Sequence, residues 1–426
     1  MKYIGNWLIW LAIMTTTGLY VMSKSDIGVI RQMPWLSASQ LISLLGTMLL
    51  AWSFILSSRA FFLEYMFGGM DKVMKTHHIV GGLSFIMLIN HPLFLAVDAL
   101  PNYQLAARYY WLSSTVSYNL GVGALYVMIL ALLLTFVVKL PYDMWLKTHD
   151  FLGLTLLLGA LHIFMISSDV SRYMPLRIWI FVFLGLALFS FVYKVVLYGG
   201  LGPKYKYRVK EVKKMGDILE IYLAAVGDKM RFRAGQFAFV NFDIPELAEK
   251  HPFTISSGPD SEEIRFSIKA LGDHTLKLRQ LKTGTMASVW GPYGRFYKNY
   301  EKSGDVVMIG GGIGVTPFLS MLAKEKQTPL SRTVHMFYGA ASVEDAVYDN
   351  EITVLSEQML NLKYYRFFGG NKPRINVSIL LEMLGKITDK RFYICGPLAM
   401  MESMVTQLRA NGVHSNNIIF EDFAFK

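Results

Sequence analysis

Residues 77–91 read HHIVGGLSFIMLINH, and residues 149–162 read HDFLGLTLLLGALH. Each is an apolar run of helical length with a histidine at either end. At 1.5 Å per residue, spacings of 14 and 13 residues separate the paired imidazoles by about 21 and about 20 Å along a helix axis. Ionisable side chains are costly in lipid and tend to be functional there. Two helices that each offer two imidazoles at matching depths, His77 with His149 and His91 with His162, can hold two haems stacked across a bilayer. Bis-histidine ligation leaves no open iron position and suits electron transfer. A lone intramembrane histidine is often only a satisfied polar residue, and His78 competes with His77 for the first position. The rotations also differ. Fourteen residues return His91 to within about 40° of the His77 face, whereas thirteen leave His162 about 140° from His149. A tilted start or a π-bulge in that helix would absorb the difference. Gly81 and Gly153 each follow a histidine by one turn. A glycine there admits a flat macrocycle or, equally, a neighbouring helix.

Four more apolar blocks surround these two, giving Ile4–Met22, Ser39–Ser57, His77–Val97, Tyr118–Val138, His149–Ser167 and Ile178–Tyr198. A span needs about 20 apolar residues, so six membrane helices are expected. The 426 residues are 53% hydrophobic and only 17% charged, against about a quarter charged in soluble proteins. Lys and Arg in the short loops hardly separate the two sides. Lys194, Lys204, Lys206, Arg208, Lys210, Lys213 and Lys214 cluster after the sixth block and favour an anionic cytoplasmic leaflet. The net charge of +11 therefore points to a membrane rather than nucleic acid. Both termini are expected in the cytoplasm, and the opening MKYIGNWLIWLAIM, with no small-residue cleavage site after it, reads as a retained helix. The single cysteine, Cys395, excludes a disulfide framework or a multi-thiolate metal site.

After residue 200 the period changes. Tyr205–Val212, Ile218–Ala224, Gln236–Phe242 and Arg265–Ala270 read as strands separated by Gly-Asp turns, the pattern of a small β-barrel. Beyond Ser303 strands and helices alternate: strands at Val306–Ile309, Thr333–Tyr338 and Arg391–Ile394, helices at Phe318–Lys324, Val343–Leu360 and Pro397–Ala410. This is a nucleotide-binding α/β layout. The first strand runs into Gly310-Gly311-Gly312-Ile313-Gly314-Val315-Thr316-Pro317, where backbone N–H groups ahead of a helix can close around a pyrophosphate. Val315 stands where the standard dinucleotide fingerprint has its last glycine.

Taken together, these motifs resemble those of the NADPH oxidase and ferric reductase superfamily. That resemblance implies a six-helix bis-haem domain (1–200), an FAD-binding β-barrel (201–300) and an NADPH-binding α/β domain (301–426). It makes His77, His91, His149 and His162 the ligands of two b-type haems. His251-Pro252-Phe253-Thr254-Ile255-Ser256 is similar to the family's flavin segment. Phe253 would pack on the isoalloxazine, Thr254 would reach its reactive nitrogen and His251 would lie by the phosphates. Lys269, with Gly272-Asp273-His274-Thr275, is similar to the second flavin segment, Lys269 and Thr275 being phosphate contacts. Trp290-Gly291-Pro292-Tyr293-Gly294 resembles the closing turn of the barrel. The family does without the last fingerprint glycine, so Gly310, Gly311, Gly312, Gly314, Thr316 and Pro317 remain nucleotide contacts. Cys395-Gly396-Pro397 is similar to the turn bordering the nicotinamide. Phe423, within Glu421-Asp422-Phe423, corresponds to the aromatic ring that covers the flavin. Ser342, Lys372 and Arg374 are candidates for a 2′-phosphate, which favours NADPH while leaving NADH possible. His335 and His414 read as structural.

A hydride donor of two electrons and a one-electron haem require a flavin between them. The resemblance implies transfer from cytosolic NADPH to an acceptor at the outer face of the plasma membrane. Dioxygen is the expected acceptor, with superoxide as product; a ferric or other metal chelate is the alternative. The animal oxidases carry an outer-side arginine at the start of the second helix. This chain has Ser37-Ala38-Ser39-Gln40 there, with Arg59 at the inner end and Arg108 and Arg172 as outer-loop candidates. Neither an EF-hand loop nor a proline-rich docking segment is visible, so activity without calcium or regulatory subunits is expected. A transporter or sensor whose histidines bind protons or metal remains the reading from another class.

Overall fold

In lipid a backbone must satisfy its own N–H and C=O groups, which leaves helices as the structure for isolated apolar blocks. The computed structural model describes residues 4–138, 140, 142–197, 204–369 and 374–420, divided into the units Met1–Leu201 and Gly202–Lys426. The helices of the first unit are α1 (Gly5–Met22), α2 (Gly28–Gln32), α3 (Pro34–Ser57), α4 (Phe61–Phe67), α5 (Met70–Ala99) and α6 (Tyr103–Ala107). They continue with α7 (Val116–Phe136), α8 (Tyr142–Asp150), α9 (Leu152–Met165), α10 (Asp169–Arg172) and α11 (Met174–Val192), which ends in a π turn at Tyr193–Leu197.

Among the described residues, five segments are long and apolar enough to cross a membrane: Pro34–Ser57, Met70–Ala99, Val116–Phe136, Met144–Met165 and Met174–Leu197. The expected sixth, the N-terminal block, forms the 18-residue α1 and is not among them. The unit is built inside out relative to a soluble protein. Trp10, Leu130 and Ile178 point outward, while Ser39, Ser53, Ser84 and Thr155 are buried between helices. Small polar residues let helix backbones approach closely and bond across the contact. The helix α3 lies against α1, α5 and α11, and α7 lies against α9.

The fifth block is not one straight helix. It breaks at Phe151, between α8 and α9, so a break takes the place of the π-bulge considered there. In α5, Pro92 follows His91 directly and removes the N–H that the Leu88 carbonyl would otherwise accept.

The second unit opens with a six-stranded antiparallel sheet: β1 (Lys204–Met215), β2 (Ile218–Ala225), β3 (Phe237–Phe242), β4 (His251–Thr254), β5 (Ile264–Lys269) and β6 (Met286–Tyr293). Their order is β4-β3-β6-β1-β2-β5. Tyr207, Ile221, Val240, Phe266 and Val289 fill its interior. The segment expected as a closing turn, Trp290–Gly294, largely belongs to β6, because Trp290 pairs with Lys204 on one side and Phe239 on the other. The second sheet is parallel: β7 (Val306–Gly311), β8 (Val334–Ala340), β9 (Leu362–Phe368), β10 (Arg391–Cys395) and β11 (Ile418–Phe420), in the order β11-β10-β7-β8-β9. Its inner strands β7, β8 and β10 are largely buried and apolar, as a sheet covered by helices on each side requires. The helix expected over Val343–Leu360 is shorter, Asp349–Gln358; Ser342 holds the preceding turn through bonds to Asp345.

Candidate functional site

The four intramembrane histidines are held in one way. His77 Nδ1 donates to the Ser53 carbonyl at 2.9 Å, with Ser53 Oγ at 3.0 Å. His91 Nδ1 lies 2.8 Å from Ser39 Oγ and 3.1 Å from the Ser39 carbonyl. Ser39 Oγ itself donates to the His91 carbonyl, so toward the imidazole it accepts. His162 Nδ1 donates to the Ser117 carbonyl at 2.7 Å. His149 Nδ1 lies 3.5 Å from Thr135 Oγ1, whose proton goes to the Ala131 carbonyl. Every Nδ1 is thus a donor, which fixes the tautomer and leaves each Nε2 with its lone pair. That is the arrangement expected of metal-ligating histidines. The His77 and His149 ring centroids are 6.2 Å apart. Two imidazoles on opposite sides of one iron, with metal–nitrogen bonds of about 2.0 Å, place their centroids about 6.3 Å apart. His91 lies within electrostatic reach of His162, and a Cβ on Gly121 would come within 3.0 Å of the His162 ring. The residues present fit two bis-histidine haems.

Sequence reasoning missed the residues that orient these imidazoles. A signal was available on α3: Ser39 and Ser53 are 14 residues apart, like His91 and His77 on the antiparallel α5. Ser117 and Thr135 on α7 gave none, since their spacing of 18 differs from the 13 of their partners. Gly81 and Gly153 turn out to serve helix packing, Gly81 facing Ser53 and Gly153 facing the Phe191 ring. His78 is exposed beside His77.

On the barrel, Pro252, Phe253 and Thr254 lie on the edge strand β4, Phe253 opposite Ala238 of β3. The His251 ring stacks on His274 at 3.6 Å. Glu249, His251 and His274 bring one ligand atom each within 4.8 Å of one another, a group able to hold a metal ion. Burial and the His251 ring lower the pKa of His274 to about 4. Ser256 is buried, bonded to Ser267 Oγ and to the Arg265 side chain. Lys269 pairs with Asp217 at 3.1 Å. Thr275 Oγ1 accepts from the N–H groups of Leu271 and Gly272, so it caps the helix Asp273–Lys277.

In the parallel sheet the strand order reverses between β7 and β10, and ligands of such folds bind in the crevice outside the carboxyl ends at that point. The two motifs meet there. Gly310 pairs with Cys395, and a Cβ on Gly314 would lie 2.6 Å from the Cys395 carbonyl group. Gly312 has φ +54, within the left-handed region glycine favours. One on Gly311 would meet Pro397 at 3.0 Å, and one on Gly396 (φ +157) would meet Gly311 at the same distance. Thr316 and Pro317 open the helix Thr316–Gln327. Ser342 and the exposed Arg374 lie beyond the ends of β8 and β9; Lys372, Glu421, Asp422 and Phe423 fall outside the described residues.

Three known domain families match successive parts of the chain. Residues 42–160 match the family of ferric reductase like transmembrane components. Residues 204–309 match an FAD-binding domain, and 308–406 match an oxidoreductase NAD-binding domain. The ferredoxin–NAD(P)(+) reductase component of naphthalene 1,2-dioxygenase/salicylate 5-hydroxylase systems from Ralstonia sp is 27% identical over 46% of this chain and 61% of its own. A flavohemoprotein from Rhizobium meliloti (strain 1021) is 26% identical over 53% of this chain and 62% of its own. The chain thus spans about six tenths of the length of these curated relatives. A flavohemoglobin crystal structure from Malassezia yamatoensis, 16% identical, aligns over 92% of this chain and 98% of its own with a TM-score of 0.52, a likeness of fold alone.

Proposed function

From a chain with the NADPH oxidase and ferric reductase architecture, a ferric-reductase-like transmembrane domain joined to FAD- and NAD-binding domains, we propose a superoxide-forming NADPH oxidase. In this reading the protein moves electrons from cytosolic NADPH to dioxygen at the outer face of the plasma membrane, with FAD and two b-type haems as cofactors. The observation that carries it is the set of four imidazoles whose Nδ1 atoms are all engaged as donors. Donation from Nδ1 leaves each imidazole one oriented lone pair on Nε2, the atom that would take an iron.

When bound, FAD supplies the exchange between a hydride and single electrons, and haem iron supplies one-electron relay. The chain's residues bind and orient. His77 with His149 and His91 with His162 would hold the two haems, and α1 would be the sixth span. Phe253 and Thr254 would position the isoalloxazine, with His251 near the pyrophosphate. The backbone of Gly310–Gly314 and the Cys395-Gly396-Pro397 turn would seat the nucleotide, Ser342, Lys372 and Arg374 its 2′-phosphate, and Phe423 would shield the flavin until nicotinamide enters. With two imidazoles holding each haem, no iron position would be open to oxygen, so its reduction would be outer-sphere.

The ferric-reductase-like character of residues 42–160 favours a second reading, a metal-chelate reductase of the same build. The test is cytochrome c reduction by the detergent-purified protein supplied with FAD and NADPH, with and without superoxide dismutase. Loss of the signal with dismutase supports the oxidase. An unchanged signal, with the haems reduced, moves the assignment to the chelate reductase.

A further inference from the structure

The reducing module contains a part-buried bridge between its two sheets that none of the cofactor motifs explains. Arg265, on β5 of the barrel, donates from Nη1 to Glu351 Oε2 at 2.9 Å and from Nη2 to Glu351 Oε1 at 2.8 Å. Glu351 belongs to the helix Asp349–Gln358, between β8 and β9 of the nucleotide-binding sheet. The Arg265 side chain is only 12% exposed, and bidentate guanidinium–carboxylate pairs are strong and directional. The same guanidinium reaches back into the flavin segment, donating from Nε to Ser256 Oγ at 3.1 Å and from Nη2 to the Ser256 carbonyl at 3.1 Å.

Two further ties hold the following residues. Ser320 Oγ, on the helix Thr316–Gln327 that follows the glycine turn, donates to the Ser257 carbonyl at 2.7 Å. Lys324 of that helix pairs with Asp260 at 2.9 Å. Backbone just after Thr254 is therefore gripped by both helices that flank β8. Of these ties, only the Arg265 fork touches the nucleotide domain and Ser256 at once.

We propose that the Arg265–Glu351 bridge is a positioning device that registers the nucleotide domain on the flavin segment and so sets the geometry of hydride transfer. The inference rests on the flavin and nucleotide assignments above. Hydride transfer is steeply sensitive to placement, a shift of about 1 Å costing on the order of 100-fold. Removing Glu351 leaves Arg265 its second carboxylate, Glu220 of β2 at 3.3 Å, so the barrel keeps a satisfied charge. A substitution at Glu351 thus tests registration rather than barrel folding.

The experiment uses the full-length, FAD-loaded protein in anaerobic stopped flow, following flavin bleaching against NADPH concentration. Glu351→Gln is expected to lower the limiting rate about tenfold, with FAD content unchanged and NADPH affinity within about twofold. Glu351→Asp, which keeps the charge, recovers part of the rate. Arg265→Lys, which keeps a charge but loses the fork, behaves like Glu351→Gln. A Glu351→Gln rate within twofold of the parent overturns the inference, as does loss of FAD from that variant, which would make the bridge a part of the flavin pocket. If neither NADPH nor NADH bleaches flavin in the parent, the functional reading itself fails and takes the inference with it.

Discussion

At the scale of single residues, the partner of each imidazole decides what it can do. Ser53, Ser39, Thr135 and Ser117 all engage Nδ1, so on the proposed reading substituting one of these histidines would remove an iron ligand, whereas substituting the exposed His78 would remove none. His91→Ala and His162→Ala are each expected to halve the haem content per chain, read as pyridine haemochrome, and His78→Ala to leave it unchanged. Two haems per chain in both first variants would refute the ligand assignment. Outside the membrane, His274 gives a pH prediction. Its pKa is lowered to about 4 by burial and by the stacked His251, so the folded flavin-free protein binds a proton less readily there than the unfolded chain, whose histidines titrate near 6.5. The stability it contributes is complete above about pH 6.5 and is lost as the pH falls toward 4. Thermal unfolding of the flavin-free protein should fall over that window, and His274→Gln should flatten the decline.

At the scale of elements, glycine contacts show how the helices are registered. A Cβ on Gly153 of α9 would sit 2.1 Å from the Phe191 ring of α11, so the ring or the helix must shift to admit it. Gly153→Ala should destabilise the membrane unit by about 1–3 kcal/mol, the usual range for overpacking, and Phe191→Ala in the same chain should recover much of it. Detergent melting of the single and double variants measures both. The same contact shows what was legible in the sequence. The apolar blocks, the histidine depths, the glycine turn and the Cys-Gly-Pro turn were readable because each is local: a run, a spacing or a tripeptide. The use of Gly153 was not, because a neighbour 38 residues away fills its face. The edge strands β4 and β9 were missed too, since His251–Thr254 is short and contains a proline, and Leu362–Phe368 (LKYYRFF) mixes exposed charge with aromatics. Strand pairing, not local pattern, defines both. The break at Phe151 falls between His149 and His162, and nothing in the run HDFLGL announces it.

At the scale of the whole molecule, connectivity sets the sidedness of the reaction. The antiparallel helices α3 and α5 join Ser53 to His77 at one end and Ser39 to His91 at the other, 14 residues apart on each helix. About 21 Å separates the two levels, too far for one cofactor to serve both and enough to carry charge across most of a hydrocarbon core of about 30 Å. With α1 counted as a span, the chain crosses six times before residue 204, so the reducing module and the N-terminus share a side. On the proposed reading that side is the cytoplasmic one, since the basic residues from Lys194 to Lys214 favour anionic lipid. Vesicles of known orientation test this. In inside-out membrane vesicles, externally added NADPH, which does not cross lipid, should reduce the haems. A reporter of superoxide trapped in the lumen should then respond, while the same reporter outside should not. In right-side-out vesicles external NADPH should do nothing until the membrane is permeabilised. Haem reduction by external NADPH in sealed right-side-out vesicles would place the module on the outer side, through six spans of the opposite sense or through five with α1 outside the bilayer.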